Sequence, residues 1–284
     1  MTYWALIGLF LGISAIFCAI GFKRFVYFLS IGYGFSVAAL GVSYFVYSLV
    51  TNTWDVFTII FSILFVVYGA RLSGFLIYRE IKNASYRKIL KDATKEDTKP
   101  MPFFVKVIIW VTVAVLYFAE TAGVFFKSYN ALNDSSLLFR FNSDFNLKTL
   151  VFASIGAVVS IFGIILESMA DRSKTNQKKL NPNMVATKGL YKMVRCPNYL
   201  GEIVFWTGVF VASIGVLNSL SQWLFCALGY ISIVYVMFNS AKRLEKRQEK
   251  RYGKIEMYRE YADHTPILVP LIPLYHLIKI ERKN

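Results

Sequence analysis

Residues 148–170 read KTLVFASIGAVVSIFGIILESMA, and between Thr149 and Leu166 no charged residue occurs. A run of ~20 apolar residues has the length of a helix crossing a bilayer. Lipid offers backbone amides no partners, so such a run must satisfy them within itself, as a helix does. Working outward, runs of similar length occur at 2–22, 25–50, 54–78, 103–126, 199–218 and 220–240. The composition agrees: 56% of the 284 residues are hydrophobic and only 17% charged, which excludes an ordinary soluble domain, a coiled coil and a disordered chain. The sequence therefore predicts an all-α fold, a polytopic membrane bundle of about seven helices forming one integral membrane domain over 1–284.

Charge gives the orientation. Segments 23–24, 79–102, 171–198 and 241–284 carry 27 of the 32 Lys and Arg, whereas the opposite loops hold only Lys127, Arg140 and Lys148. Positive charge accumulates on the cytoplasmic side, so the N-terminus is expected outside and the C-terminus inside. Trp4, Trp54 and Trp223 fall at the expected outer ends, where interfacial aromatic rings belong. The net charge of +15 thus has anionic lipid headgroups as its natural partner rather than nucleic acid. Lys23 and Arg24 follow the first run instead of preceding it, which reads as a span and not a signal peptide. The membrane is a bacterial cytoplasmic membrane or the endoplasmic reticulum; Asn133-Asp134-Ser135 in an outer loop would permit glycosylation in the latter.

Three cysteines, Cys18, Cys196 and Cys226, have no short paired spacing, and the two histidines, His264 and His276, lie near the C-terminus. No disulfide framework or metal site is expected. Gly32-Tyr33-Gly34 follows no strand and is rejected as a dinucleotide fingerprint. Gly8 and Gly12 make a small-xxx-small spacing, for close helix approach or ordinary glycine tolerance in lipid.

Arg71, Glu120, Glu167 and Glu202 are the charged groups that stand out within the runs. Each costs ~2.5–3.5 kcal/mol at a helix centre, so a cavity, a partner or the headgroups should receive it. Tyr117 and Glu120, three apart, share a helix face and could together donate hydrogen bonds to a bound carbonyl; a helix-packing bond is the structural alternative. The densest unusual stretch runs from Glu167 through Asp171, Lys174, Lys178 and Lys179 to Arg195-Cys196-Pro197-Asn198-Tyr199-Leu200-Gly201-Glu202, with Trp206 one turn later. Pro197 can stop the incoming chain, Asn198 can cap a helix starting near Tyr199, and that basic helix start suits an anionic cofactor. Beyond the last run, Lys242, Lys246 and Lys250 with Arg243, Arg247 and Arg251 form a cationic face if helical, with Glu245 and Glu249 as balancing anions. Tyr252, Tyr258, Tyr261 and Pro266 to Pro270 form a tail able to fold back over a cofactor.

These residues resemble the membrane-embedded steroid 5-alpha-reductase-like family, in its bacterial branch and the related sterol double-bond reductases. The resemblance rests on Ala170-Asp171, Gly189-Leu190, Arg195-x-Pro197-Asn198-Tyr199-x-Gly201-Glu202 with Trp206, and the tail from Glu245 to Pro270; Arg71-Leu72 with Arg79 is a weaker N-terminal match. Cys196 stands where the bacterial pattern has histidine. The resemblance implies an NADPH-dependent oxidoreductase that delivers hydride to an activated C=C bond of a lipid-soluble steroid-like or isoprenoid substrate, with no obligate protein partner. It implies a C-terminal region, 148–270, holding NADPH through Asp171, Lys178, Arg195, Asn198, Tyr199, Glu202, Arg243 and Tyr258, and N-terminal helices, 1–126, on the substrate side. Tyr117 and Glu120 as carbonyl-polarising groups come from the physical reading alone. Isoprenylcysteine carboxyl methyltransferases share the general pattern, which makes an S-adenosylmethionine-dependent methyltransferase the alternative.

Overall fold

A computed structural model describes residues 2–82, 101–140 and 145–279. Residues 83–100, most of the second basic segment, lie outside the described residues, as do 1, 141–144 and 280–284. Among the described residues there are eight α-helices and no strand: α1 (Tyr3–Cys18), α2 (Ile31–Val50), α3 (Val56–Lys82), α4 (Phe103–Asn130), α5 (Leu147–Leu180), α6 (Pro197–Ile214), α7 (Leu220–Tyr252) and α8 (Glu256–His264). Six segments, Tyr3–Phe22, Phe25–Val50 and the helices α3, α4, α5 and α7, are long and apolar enough to cross a membrane. The chain is accordingly an integral membrane protein. The run expected at 199–218 does form a helix, α6, but its opening Pro-Asn-Tyr-Leu-Gly-Glu keeps it out of that set of six.

Boundaries moved where polar residues favour helix once apolar packing has nucleated it. The loop expected from residue 171 is instead helical to Leu180, so Asp171, Lys174 and Lys178 sit on α5. The basic rows after residue 240 continue α7 to Tyr252. α6 starts at Pro197, whose missing N–H costs nothing in a first turn, with Cys196 O accepting the amides of Tyr199 and Leu200, each at 3.1 Å. Asn198 is therefore inside the first turn and not its cap.

The chain divides into two compact units. The first takes the chain to Ala157 together with Val209–Tyr230. Its core is aromatic: Phe10 packs against Tyr44 at 4.9 Å and Phe125 at 5.0 Å between ring centroids. α2 and α3 cross so closely that a Cβ on Gly34 would lie 2.7 Å from Gly69 O, which gives that glycine a packing role. A Cβ on Gly8 or Gly12 would meet nothing within 4 Å among the described residues, so neither glycine is required there for close helix approach. Asp55 caps α3 by accepting from Thr58 N at 2.8 Å. It also pairs with Lys127 and accepts from Phe139 N at 2.9 Å. Asn130 and Gln222 exchange two side-chain amide bonds of 3.0 Å, tying α4 to α7.

The second unit takes Val158–Gly208 and the chain from Ile231 onward. Within it α5 and α6 cross at two glycines. A Cβ on Gly163 would stand 2.4 Å from Phe205 N, and one on Gly201 would stand 2.7 Å from Glu167 N. Gly201, one letter of the Asn-Tyr-x-Gly-Glu string, is thus needed for close backbone approach. The segment after α5 is clamped back on it by Gln177, whose Oε1 accepts from Thr187 N and Lys188 N, both at 2.9 Å. After α8 the chain returns: Pro266 O and Ile267 O accept the amides of Arg195 and Cys196 at 2.8 and 3.0 Å.

Candidate functional site

All eight residues expected to hold a cofactor fall in the second unit, and Tyr117 and Glu120 fall in the first. Arg195 is the centre of the second unit's polar interior. Its side chain is almost fully buried, and its Nη2 donates to Glu245 Oε1 at 2.6 Å and to Tyr275 O. Glu245 is 1% exposed and saturated: Oε1 also faces His276 Nδ1 at 2.8 Å, and Oε2 accepts from Leu277 N at 2.8 Å. The other ring nitrogen of His276, Nε2, lies 3.0 Å from Asp263 Oδ1. Arg195 differs from its partner, because its Nε and Nη1 are buried and have no hydrogen-bond partner among the described residues. Asn198 Oδ1, one residue into α6, is in the same condition.

Glu202 is buried and accepts from Trp206 Nε1 at 3.3 Å, one turn along α6. Glu167 is buried on α5 with its backbone against Gly201. Tyr199 packs with Cys196, Ala241, Ile267 and Leu268. Burial, and next Asp171, pushes the Tyr191 phenol up, so Asp171 lies within electrostatic reach of that buried ring. Tyr261, which donates to Tyr191 O at 2.7 Å, is likewise pushed up by burial, with Arg195 opposing. Burial pushes the Cys196 thiol up to about 12.

Three of the eight, Lys178, Arg243 and Tyr258, are engaged within the chain. Lys178 spends its ammonium on Pro182 O at 3.3 Å, on Met184 O and on Tyr252 Oη at 2.8 Å. An ammonium has three donors, so this lysine holds the loop after α5 and has none left for a phosphate. Arg243 is exposed and donates to Ser240 Oγ on its own helix at 3.0 Å, away from the buried set. Tyr258 is fully buried, its ring 5.9 Å from that of Tyr252, as part of the packing behind Lys178. In the first unit Tyr117 donates its one hydroxyl proton to Phe28 O at 2.6 Å, the helix-packing alternative. Glu120 is buried where α7 meets α4: a Cβ on Gly229 would lie 2.4 Å from Glu120 N.

The sequence reading missed Glu245, Asp263 and His276 as a unit, having counted Glu245 among the anions balancing an exposed cationic face. Helical phase carried the signal: Ala241, Glu245 and Tyr252 share the buried face of α7, while Lys242, Arg243, Lys246, Arg247, Lys250 and Arg251 are exposed.

A family model matches residues 20–265, and its description is a protein of unknown function (DUF1295). The chain belongs to the DUF1295 family. No curated protein and no solved structure matches it. The DUF1295 region takes in every expected site residue from Tyr117 to Tyr258, together with Glu245 and Asp263; His276 lies beyond it.

Proposed function

We propose that this protein is a membrane-embedded, NADPH-dependent reductase of an activated C=C bond in a lipid-soluble, steroid-like or isoprenoid substrate. The observation that carries the reading is the pair of incompletely partnered polar groups at the start of α6, Arg195 and Asn198. Buried N–H donors and carbonyl oxygens without partners cost about 1–3 kcal/mol each, so a protein retains them where a ligand supplies the missing bonds. The residues fit a nicotinamide dinucleotide. Arg195 keeps three N–H donors on Nε and Nη1 for a phosphate, and Asn198 Oδ1 accepts from a hydroxyl or amide. Glu202 and Asp171 are further acceptors in the same unit, and Tyr199 packs with Cys196 next to Arg195 in sequence.

When bound, the nicotinamide supplies the hydride. The chain's part is to hold the dinucleotide by its phosphates, to exclude water from the buried set, and to polarise the substrate carbonyl. Tyr117, whose hydroxyl donates to Phe28 O, serves helix packing. In the topology that goes with this reading α6 is a seventh span, the N-terminus is outside, and the basic ends of α5 and α7 are cytoplasmic.

Purified protein titrated with NADPH should rise in Tm with ligand concentration, because a ligand that binds only the folded state stabilises it by mass action. S-adenosylmethionine should leave Tm unchanged. Stabilisation by the methyl donor alone would replace the reductase with a methyltransferase.

A further inference from the structure

Glu245, His276 and Asp263 have no part in the proposed chemistry, yet they form a polar chain that runs from the buried Glu245 to the half-exposed His276 and Asp263. Each link is geometrically specific. Glu245 Oε1 takes both Arg195 Nη2 at 2.6 Å and His276 Nδ1 at 2.8 Å, and Oε2 takes the Leu277 amide at 2.8 Å. Asp263 Oδ1 faces His276 Nε2 at 3.0 Å from the other side. The tail also reaches Arg195 directly, through Tyr275 O on Nη2 and Pro266 O on the backbone amide. A further bond, Ile267 N to Leu274 O at 2.9 Å, folds the tail on itself. A guanidinium held on one nitrogen by a saturated carboxylate and a carbonyl has its plane fixed, and its remaining donors are aimed before any ligand arrives.

We infer that Glu245 is a positioning residue for Arg195, and that the tail from Pro266 to Leu277, pinned by His276 between Glu245 and Asp263, is the strap that orients this arginine toward a phosphate-bearing ligand. The inference rests on the proposed reading of Arg195 as a phosphate ligand and names the part of the molecule that controls it. Both ring nitrogens of His276 face carboxylate oxygens. A neutral imidazole can donate to one of them, and an imidazolium to both. The charged groups facing the ring are Glu245 of α7 and Asp263 of α8, with Arg195 behind Glu245.

The test uses the full chain in detergent with inorganic pyrophosphate and NADPH as probes. Glu245→Gln strips the charge from a buried partner and risks the fold, so His276→Gln and Asp263→Asn, at the more exposed end of the chain, carry the experiment. Both variants should keep the ligand-free Tm within a few degrees and bind each probe about tenfold more weakly, the loss of one charge-assisted constraint. Chymotryptic cleavage at Tyr275 should speed up in both. Faster cleavage with probe affinities within twofold of wild type would overturn the positioning role while the wild type still bound both probes. Failure of the wild type to bind either probe would instead remove the phosphate reading of Arg195, and the inference with it.

Discussion

Each unit of the molecule buries an ion pair, and the two are finished differently. In the first, Asp55 receives Lys127, Thr58 N, Thr58 Oγ1 at 2.6 Å and Phe139 N, while Lys127 Nζ also reaches Thr58 Oγ1 at 3.3 Å. Every charged atom of this pair, Asp55 Oδ1 and Oδ2 and Lys127 Nζ, has at least one partner. In the second, Glu245 is equally saturated, but Arg195 retains Nε and Nη1 without partners. Burial and charge are alike in the two places. The unspent donors separate a pair that ties helices together from one able to bind something else, and they show that a buried salt bridge by itself says little about function.

The comparison breaks most visibly at Asp55. Asp55→Ala leaves a buried lysine without its counter-charge and should cost about 3–5 kcal/mol of stability, read as a large fall in Tm. NADPH affinity per folded molecule should stay within twofold of wild type. A selective loss of affinity with Tm retained would erase the contrast between the pairs. Next in size, Arg195→Lys keeps one positive charge but loses the planar fork. It should weaken NADPH binding about tenfold or more by titration, with a smaller change in ligand-free Tm.

Lys178→Met sharpens the comparison from the side of a lysine that resembles a phosphate ligand in sequence but is fully engaged. Two loop carbonyls and the Tyr252 hydroxyl lose a donor, so stability should drop by about 1–3 kcal/mol with little change in NADPH affinity. An affinity loss without a stability loss would return Lys178 to the binding site. The smallest effect concerns Cys196, beside Arg195 in sequence. Its thiol is raised from 9.0 to about 12 by burial. The neutral form is the one the fold favours, so this contribution to stability is complete below pH 9.0 and is lost as the pH rises through about 12. At pH 8 the native protein should therefore resist alkylation at Cys196, measured by peptide mass, and react once unfolded; rapid native labelling would contradict its burial.

Much of the architecture was legible along the chain because lipid punishes unpaired backbone wherever it occurs, so each apolar run had to be a helix whatever lay beside it. Residues 54–78 and 103–126 appear as α3 and α4, each extended at its C-terminal end by mostly polar residues that lipid does not constrain. Composition and run length thus settled the helical membrane class. They also gathered Asp171, Arg195, Asn198, Tyr199 and Glu202 into one segment of interest. What they could not supply was the direction of each side chain. Whether Lys178 faces a ligand or a carbonyl, whether Tyr117 keeps its proton, and whether Glu245 balances a surface or anchors Arg195 depend on partners 6 to 89 residues away in sequence. A hydrogen bond is short and directional, and only the folded chain brings its two ends within 3 Å. The membrane helices were written in the order of the residues; the saturation of Glu245 and the spare donors of Arg195 exist only because the tail returns.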